Sequence, residues 1–204
     1  MTDNYKAVTE IWRQKAREFD FREKYRDLGL WGYAATGDMK FRFFGREYAI
    51  SRETLEICDP QAPQKELSFC THMGIYHLFH YALPGAKTSG EWVPLRGIRR
   101  AAPFEKAFLQ QTLQPFARFC DGRLPALISA GERLGFRRLP QSDAGFEADV
   151  YDCMKLRVLF WDGDEEFPAQ ANILFDANAN DFLHEETILM MGMEVLQRLM
   201  DEME

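Results

Sequence analysis

The chain has 204 residues, 46% of them hydrophobic and 28% charged, with a formal net charge of −7. This length suits one core, the composition is that of a globular chain and not a disordered or fibrous one, and the acidic balance disfavours any surface that follows a phosphate backbone, so no nucleic-acid partner is expected. Seventeen phenylalanines predict an aromatic core, while no apolar run reaches the ~20 residues of a membrane span, so no membrane association is expected.

Val8, Ile11, Trp12 and Phe19 recur at helical spacing, and Leu28-Gly29 supplies a stop, which predicts one helix running to about Asp27. From Met39 the period changes to two. Phe41 and Phe43 alternate with Lys40 and Arg42, Gly45-Arg46 turns the chain, and Tyr48 and Ile50 continue the alternation as a β-hairpin. Pro60 and Pro63 mark a loop. Residues 66–83 are apolar on nearly every side, as in a helix buried at the centre, and end at Pro84-Gly85. Trp92, Val93 and Leu95, interrupted by Pro94, read as a short edge strand. A helix over 104–119, broken or offset at Pro115, precedes another over 125–134 with Gly135 at its end. After Pro140, residues 146–151, 155–161 and 171–175 form a three-stranded antiparallel meander, on which a closing helix packs the stripe Ile188, Met191, Val195 and Leu199. The expected architecture is a single α+β domain: one curved antiparallel sheet, made of hairpin plus meander, packed on the buried central helix.

Cys58, Cys70, Cys120 and Cys153 form no C-x-x-C pair of the kind that holds zinc or an iron–sulfur cluster. The first 20 residues are charged and amphipathic and lack the apolar stretch of a signal peptide. Reduced thiols and a cytoplasmic location are therefore expected.

The segment Phe160-Trp161-Asp162-Gly163-Asp164-Glu165-Glu166-Phe167-Pro168-Ala169, followed by Ile173-Leu174-Phe175-Asp176, resembles an uncharacterised domain-of-unknown-function family of anaerobic bacteria and archaea, with the signature W-x-G-D-x-E-F-P…I-L-F-D. The likeness extends to Phe44-Gly45-Arg46-Glu47-Tyr48, to His80-Tyr81 and to Ser89-Gly90-Glu91-Trp92-Val93. It implies a domain that stands alone or is fused to iron–sulfur modules, in organisms rich in corrinoid and one-carbon chemistry. A link to corrinoid or other tetrapyrrole metabolism rests on that resemblance alone.

Two constellations carry candidate chemistry. Asp162, Asp164, Glu165 and Glu166 lie between two predicted strands, where a loop gathers carboxylates around a hard cation. Asp162, Asp164 and Glu166 are therefore candidate metal ligands, although the spacing is not that of a helix-loop-helix calcium site. The opposing reading has Asp162-Gly163 making the turn while the carboxylates cap amides or face water, and Asp176 capping the turn at 177–180. The second constellation is Cys70, Met73, His77 and His80, whose steps of three, four and three place them on one helical face. Soft sulfur and imidazole donors suit a transition metal or an axial bond to a haem or corrinoid. His77 and His80, with the flanking rings Trp161 and Phe167, are the candidate cofactor residues, against a reading as core packing.

His72 projects off that stripe, and His184 is expected as an end-of-helix group. Arg96, Arg99 and Arg100 form a basic patch suited to an anion or to a solvated turn. No serine lies in a G-x-S-x-G elbow and no glycine run forms a nucleotide cradle, so no catalytic residue is assigned. The preferred reading is a cytoplasmic binding or accessory protein for a small ligand or cofactor, a tetrapyrrole or divalent metal being the candidates, held in an aromatic space between sheet and central helix. Its rivals are a metal-assisted hydrolytic or acid–base enzyme built on Asp164, Glu166 and His80, and a protein-interaction module with an exposed apolar patch at Trp92 and Val93.

Overall fold

The structure is a computed structural model that describes residues 3–204. The predicted first helix is two. α1 (Asp3–Lys15) runs into a 3-10 turn, Phe19 turns extended, and the Asp20 carboxylate accepts the Glu23 N–H at 2.9 Å to cap α2 (Phe21–Asp27). A short acidic side chain offers the backbone that alternative to continuing the helix.

β1 (Met39–Phe43) and β2 (Arg46–Ile50) pair as the predicted hairpin. Their two-residue connection places Phe44 and Gly45 both at positive φ, 49° and 73°, the geometry that follows the twist of the strands. A phenylalanine is costly there, and two features offset the cost: the ring is buried, and the Phe44 N–H donates to Val150 O at 3.1 Å. β3 (Ile57–Cys58), too short to carry a periodic signal, adds a third strand.

α3 (Phe69–Tyr81) is the predicted central helix, opened by the Ser68 hydroxyl accepting the Thr71 N–H at 2.9 Å. β4 (Trp92–Pro94) is the edge strand. A helical rod follows as α4 (Glu105–Phe108), a π-helical stretch Leu109–Leu113, and α5 (Gln114–Cys120), then α6 (Leu124–Arg133). β5 (Arg137–Leu139), β6 (Ala144–Tyr151), β7 (Met154–Trp161) and β8 (Gln170–Asp176) complete a second antiparallel sheet in the order β4-β8-β7-β6-β5, and α7 (Glu185–Met203) closes the chain.

The strands therefore form two sheets and not one curved sheet. The register of β6 slips between Asp149 and Tyr151, a bulge at the point where hairpin and meander meet, and the Phe44 N–H to Val150 O bond joins them there. The core is aromatic, as predicted: Phe41, Phe43, Tyr76, Phe79, Phe146, Tyr151, Phe160 and Phe175 are all buried. Phe41, Phe43 and Tyr151 pack on α3, whereas Phe146 faces Gly131 of α6, Phe160 faces Phe116 of α5 and Phe175 faces Gly192 of α7. Phe43 lies 5.4 Å from Tyr151, whose hydroxyl donates to Gly74 O on α3 at 2.7 Å. A buried carboxylate, Glu194 on α7, ties that helix to α3 by accepting from Ser68 Oγ (3.0 Å) and Thr71 Oγ1 (3.1 Å), and from Arg198 Nε at 2.9 Å. Among the described residues no helix is long and apolar enough to cross a membrane.

Candidate functional site

The acidic loop between β7 and β8 spends its two aspartates on the backbone. Asp162 Oδ1 accepts the N–H groups of Gly122 (2.8 Å) and Gly163 (3.2 Å), and the Asp162 N–H donates to Asp143 at 2.8 Å. Asp164 Oδ1 accepts the amides of Phe167 at 2.7 Å and Glu166 at 2.8 Å, and those two bonds hold its pKa below the usual carboxylate range. Gly163 leaves no room for a side chain, since a Cβ there would meet Asp121 Oδ1 at 2.6 Å. Glu165 and Glu166 are exposed, and Glu166 joins the turn through its amide. Among the described residues no three His, Cys, Asp or Glu side chains are placed to share a metal ion. Asp176 caps as expected: it accepts the Asn178 N–H at 2.9 Å and also holds Ser89 and Gly90.

The histidine stripe lies elsewhere. His77 Nδ1 is 2.5 Å from Thr187 Oγ1 on α7, and its buried Nε2 has no partner among the described residues. α1 covers this face. Trp12 lies 4.2 Å from the His77 ring and 5.2 Å from His80, while Tyr81 contacts His77, His80 and His184 at 5.3, 4.6 and 5.5 Å. Burial pushes His77 down to about 4, with His184, His80 and Lys15 adding to the effect, and burial also lowers His80. Cys70 has its thiol pushed up to about 11 by burial, and Met73 is in the core. The sequence reading paired His77 with His80 but missed Trp12, Tyr81 and His184, for which the central place of Trp12 in the first apolar stripe was the available signal. His184 is the end-of-helix group expected, capping α7 with its Nδ1 accepting the Glu186 N–H at 3.4 Å.

Trp161 and Phe167, the other candidate cofactor residues, are not near that stripe. They bound a loop whose partners are Asp121, Gly122 and Asp143, whereas His80 stands among Trp12, Phe19 and Tyr81. The structure therefore does not bring Asp164, Glu166 and His80 together. Of the basic patch, Arg96 pairs with Glu105 at 3.7 Å, and the Arg99 N–H donates to Asn180. Trp92 and Val93 are half-buried, with the Arg157 guanidinium 3.9 Å above the Trp92 ring, so no exposed apolar patch forms there.

What the signature loop does border is a groove. In the rod opposite, the Gln114 N–H reaches back five residues to Leu109 O, a widened turn that ends immediately before Pro115. Proline removes a helical donor and crowds the preceding turn, and a π-turn accommodates both; such turns are frequent at functional sites. The groove, about 440 Å³, has Leu109, Leu113, Gln114, Ala117 and Arg118 on the helical side and Pro168 to Ala171 on the other. Leu109 is 43% exposed, and Phe167, next to Pro168 in the chain, is 62% exposed. Arg118 is exposed and has no ion-pair or hydrogen-bond partner among the described residues. Sequence reading saw the offset at Pro115 but not that it faces the signature loop across 50 residues of chain.

Residues 20–198 match the model of a family described as Domain of unknown function (DUF3786), and the chain belongs to that family. The match begins at the Asp20 cap of α2, so it leaves α1 outside. No curated protein and no solved structure matches the chain.

Proposed function

We propose that the chain is a binding protein whose ligand, an anion with an apolar body, occupies the groove between the π-turn and the signature loop. The observation that carries this reading is Arg118, a cation without a partner among the described residues, at the margin of a mainly apolar groove whose other polar side chains are the uncharged Gln114 and Gln170. Specific sites have that composition, with apolar walls supplying area and one placed charge fixing orientation. The signature loop supports it. Its two aspartates, Asp162 and Asp164, are committed to backbone amides, which favours the loop as a shaped wall presenting Pro168 and Phe167 over a gatherer of cations. A tetrapyrrole bound through an axial histidine is less well supported, because the groove is lined by no histidine and His77 and His80 lie under α1.

Decanoate is a suitable probe. Isothermal titration should give saturable binding to the unmodified protein, weakened about tenfold in Arg118→Gln, which corresponds to about 1.4 kcal/mol. Leu109→Ser should weaken it as well, and Arg100→Gln, at the separate basic patch, should leave it unchanged. Absence of saturable binding, or equal loss in the Arg100 variant, rejects the groove as the site.

A further inference from the structure

The wall of this groove formed by residues 168–171 contains an unpaired strand edge. β4 pairs with β8 only at Leu174, Phe175 and Asp176, whereas β7 pairs with β8 along its whole length from Gln170 to Phe175. On the β4 side, residues 170–173 thus have no strand neighbour among the described residues. The direction of the backbone groups follows from the register. The Ala177 N–H donates to Glu91 O across the β4 side, so with a period of two the N–H and C=O groups of Phe175, Ile173 and Ala171 face that side too. Phe175 is paired by β4. The Ile173 N–H is taken at 2.9 Å by the side chain of Asn172. That leaves Ala171, on the groove, with both backbone groups directed outward and its chain only half-buried.

Resting on the groove as a binding site, we infer that its occupant is an extended peptide segment, apolar with a carboxylate at one end, which adds a short strand to β8 at Ala171. Three features select this class. An open strand edge supplies paired donors and acceptors that a simple hydrocarbon anion leaves unused. The edge from Gln170 to Asn172 is about 10 Å long at ~3.3 Å per residue, room for three or four residues of an added strand, and Leu109 and Leu113 form an apolar wall for alternate side chains. Arg118 then meets a carboxylate, a charge-assisted contact that fixes the direction of the segment. A second copy of this chain is a poorer fit on charge, at −7 per chain.

The test uses the unmodified protein with the peptide acetyl-Leu-Val-Leu-Val-Glu-Glu and two analogues, each N-methylated on one alternating set of amides. Only one set faces the edge of an added strand. One analogue should therefore lose at least tenfold in affinity while the other binds like the parent, and amide exchange at Ala171 should slow at least tenfold in the complex. Arg118→Gln should weaken the parent peptide but not a version with glutamine in place of both glutamates and an amidated C-terminus. If both analogues bind like the parent, or Ala171 exchange is unchanged, strand addition is overturned. If no peptide binds while decanoate does, the peptide class fails and the groove reading stands; if neither binds, both fail. A concentration-dependent dimer that the peptide dissociates would replace the peptide partner with a second copy.

Discussion

The carboxylate of Asp176 and the backbone of Ser89 are joined across 87 residues of chain: Asp176 Oδ1 accepts the Ser89 N–H at 2.9 Å and its hydroxyl at 3.0 Å, while Oδ2 accepts the Gly90 N–H at 2.8 Å. With the Asn178 N–H, this side chain satisfies four donors while only 1% exposed. Two separate parts of the family-like sequence, Ser89-Gly90-Glu91-Trp92 and the final aspartate of Ile173-Leu174-Phe175-Asp176, are thus one structural feature that seats β4 beside β8.

Asp176→Ala leaves the Ser89, Gly90 and Asn178 amides without this acceptor and should cost about 1–3 kcal/mol in urea unfolding. Asp176→Asn keeps one oxygen and should cost less. Burial acts to raise the Asp176 pKa, but the amides of Ser89, Asn178 and Gly90 and the Ser89 hydroxyl outweigh it and leave the pKa lowered. The folded protein therefore holds this proton less tightly than the unfolded chain. The contribution is present above the unfolded carboxylate pKa and is lost as the pH falls through the folded value. An alanine variant as stable as the parent at neutral pH would show that the seat is dispensable.

His77 titrates with a similar sign for the opposite reason. Its pKa falls from 6.5 to about 4 because burial disfavours the imidazolium, and His184, His80 and Lys15 repel it. Between those values the unfolded chain binds the extra proton, so stability is complete above about 6.5 and declines as the pH drops toward 4, by roughly 2–4 kcal/mol from this residue. His72 and His80 are also lowered and add smaller slopes. His77→Asn should remove much of this acid dependence of Tm whatever it does to Tm at pH 7.5. An unchanged slope would mean that His77 titrates alike in the folded and unfolded chain.

Much of the fold was legible because its signals are local and periodic. The alternation of Phe41, Phe43, Tyr48 and Ile50 marks a hairpin, and the all-round apolar run before Pro84 marks the buried α3. Three kinds of feature were not. β3 and β5 are two and three residues long, below any period, and β5 begins with two arginines. The division into two sheets turns on a bulge at Asp149 and Tyr151 that no residue type announces. The groove depends on a backbone widening near Pro115 facing a loop 50 residues later, a tertiary relation. The loop has the amide-capping turn geometry of one of its two readings. The sequence could not choose between them, because a carboxylate that caps an amide and one that holds a cation are the same residue.

Glycine packing gives a sharper test of the core. Gly131 sits in α6, where alanine gains about 1 kcal/mol in helix propensity. Its Cβ, however, would stand 2.2 Å from Cε1 of the buried Phe146 ring. A ring held by a packed sheet has little room to yield, and overpacking of this kind costs roughly 1–3 kcal/mol, so Gly131→Ala should be the less stable protein in urea despite its better helix residue. Gly74→Ala should cost less, since its nearest neighbours are the flexible Met191 Cε and Sδ at 2.8 and 3.0 Å. The reverse order would contradict the packing of α6 on β6.

The two roles open to the acidic loop separate by substitution. If Asp164 serves the turn, Asp164→Ala removes the acceptor for the Glu166 and Phe167 amides and lowers Tm by the same few degrees with magnesium or calcium present as with a chelator. Glu166→Gln, whose exposed carboxylate caps no amide, should leave Tm unchanged in both conditions. If the loop instead gathers a cation, the metal raises the Tm of the parent by mass action, and both substitutions abolish the rise. Thermal unfolding of the three proteins, with metal and with chelator, therefore decides the role of Asp164 and Glu166 without knowledge of any ligand. A metal-dependent Tm lost in Glu166→Gln would assign these carboxylates to a cation site.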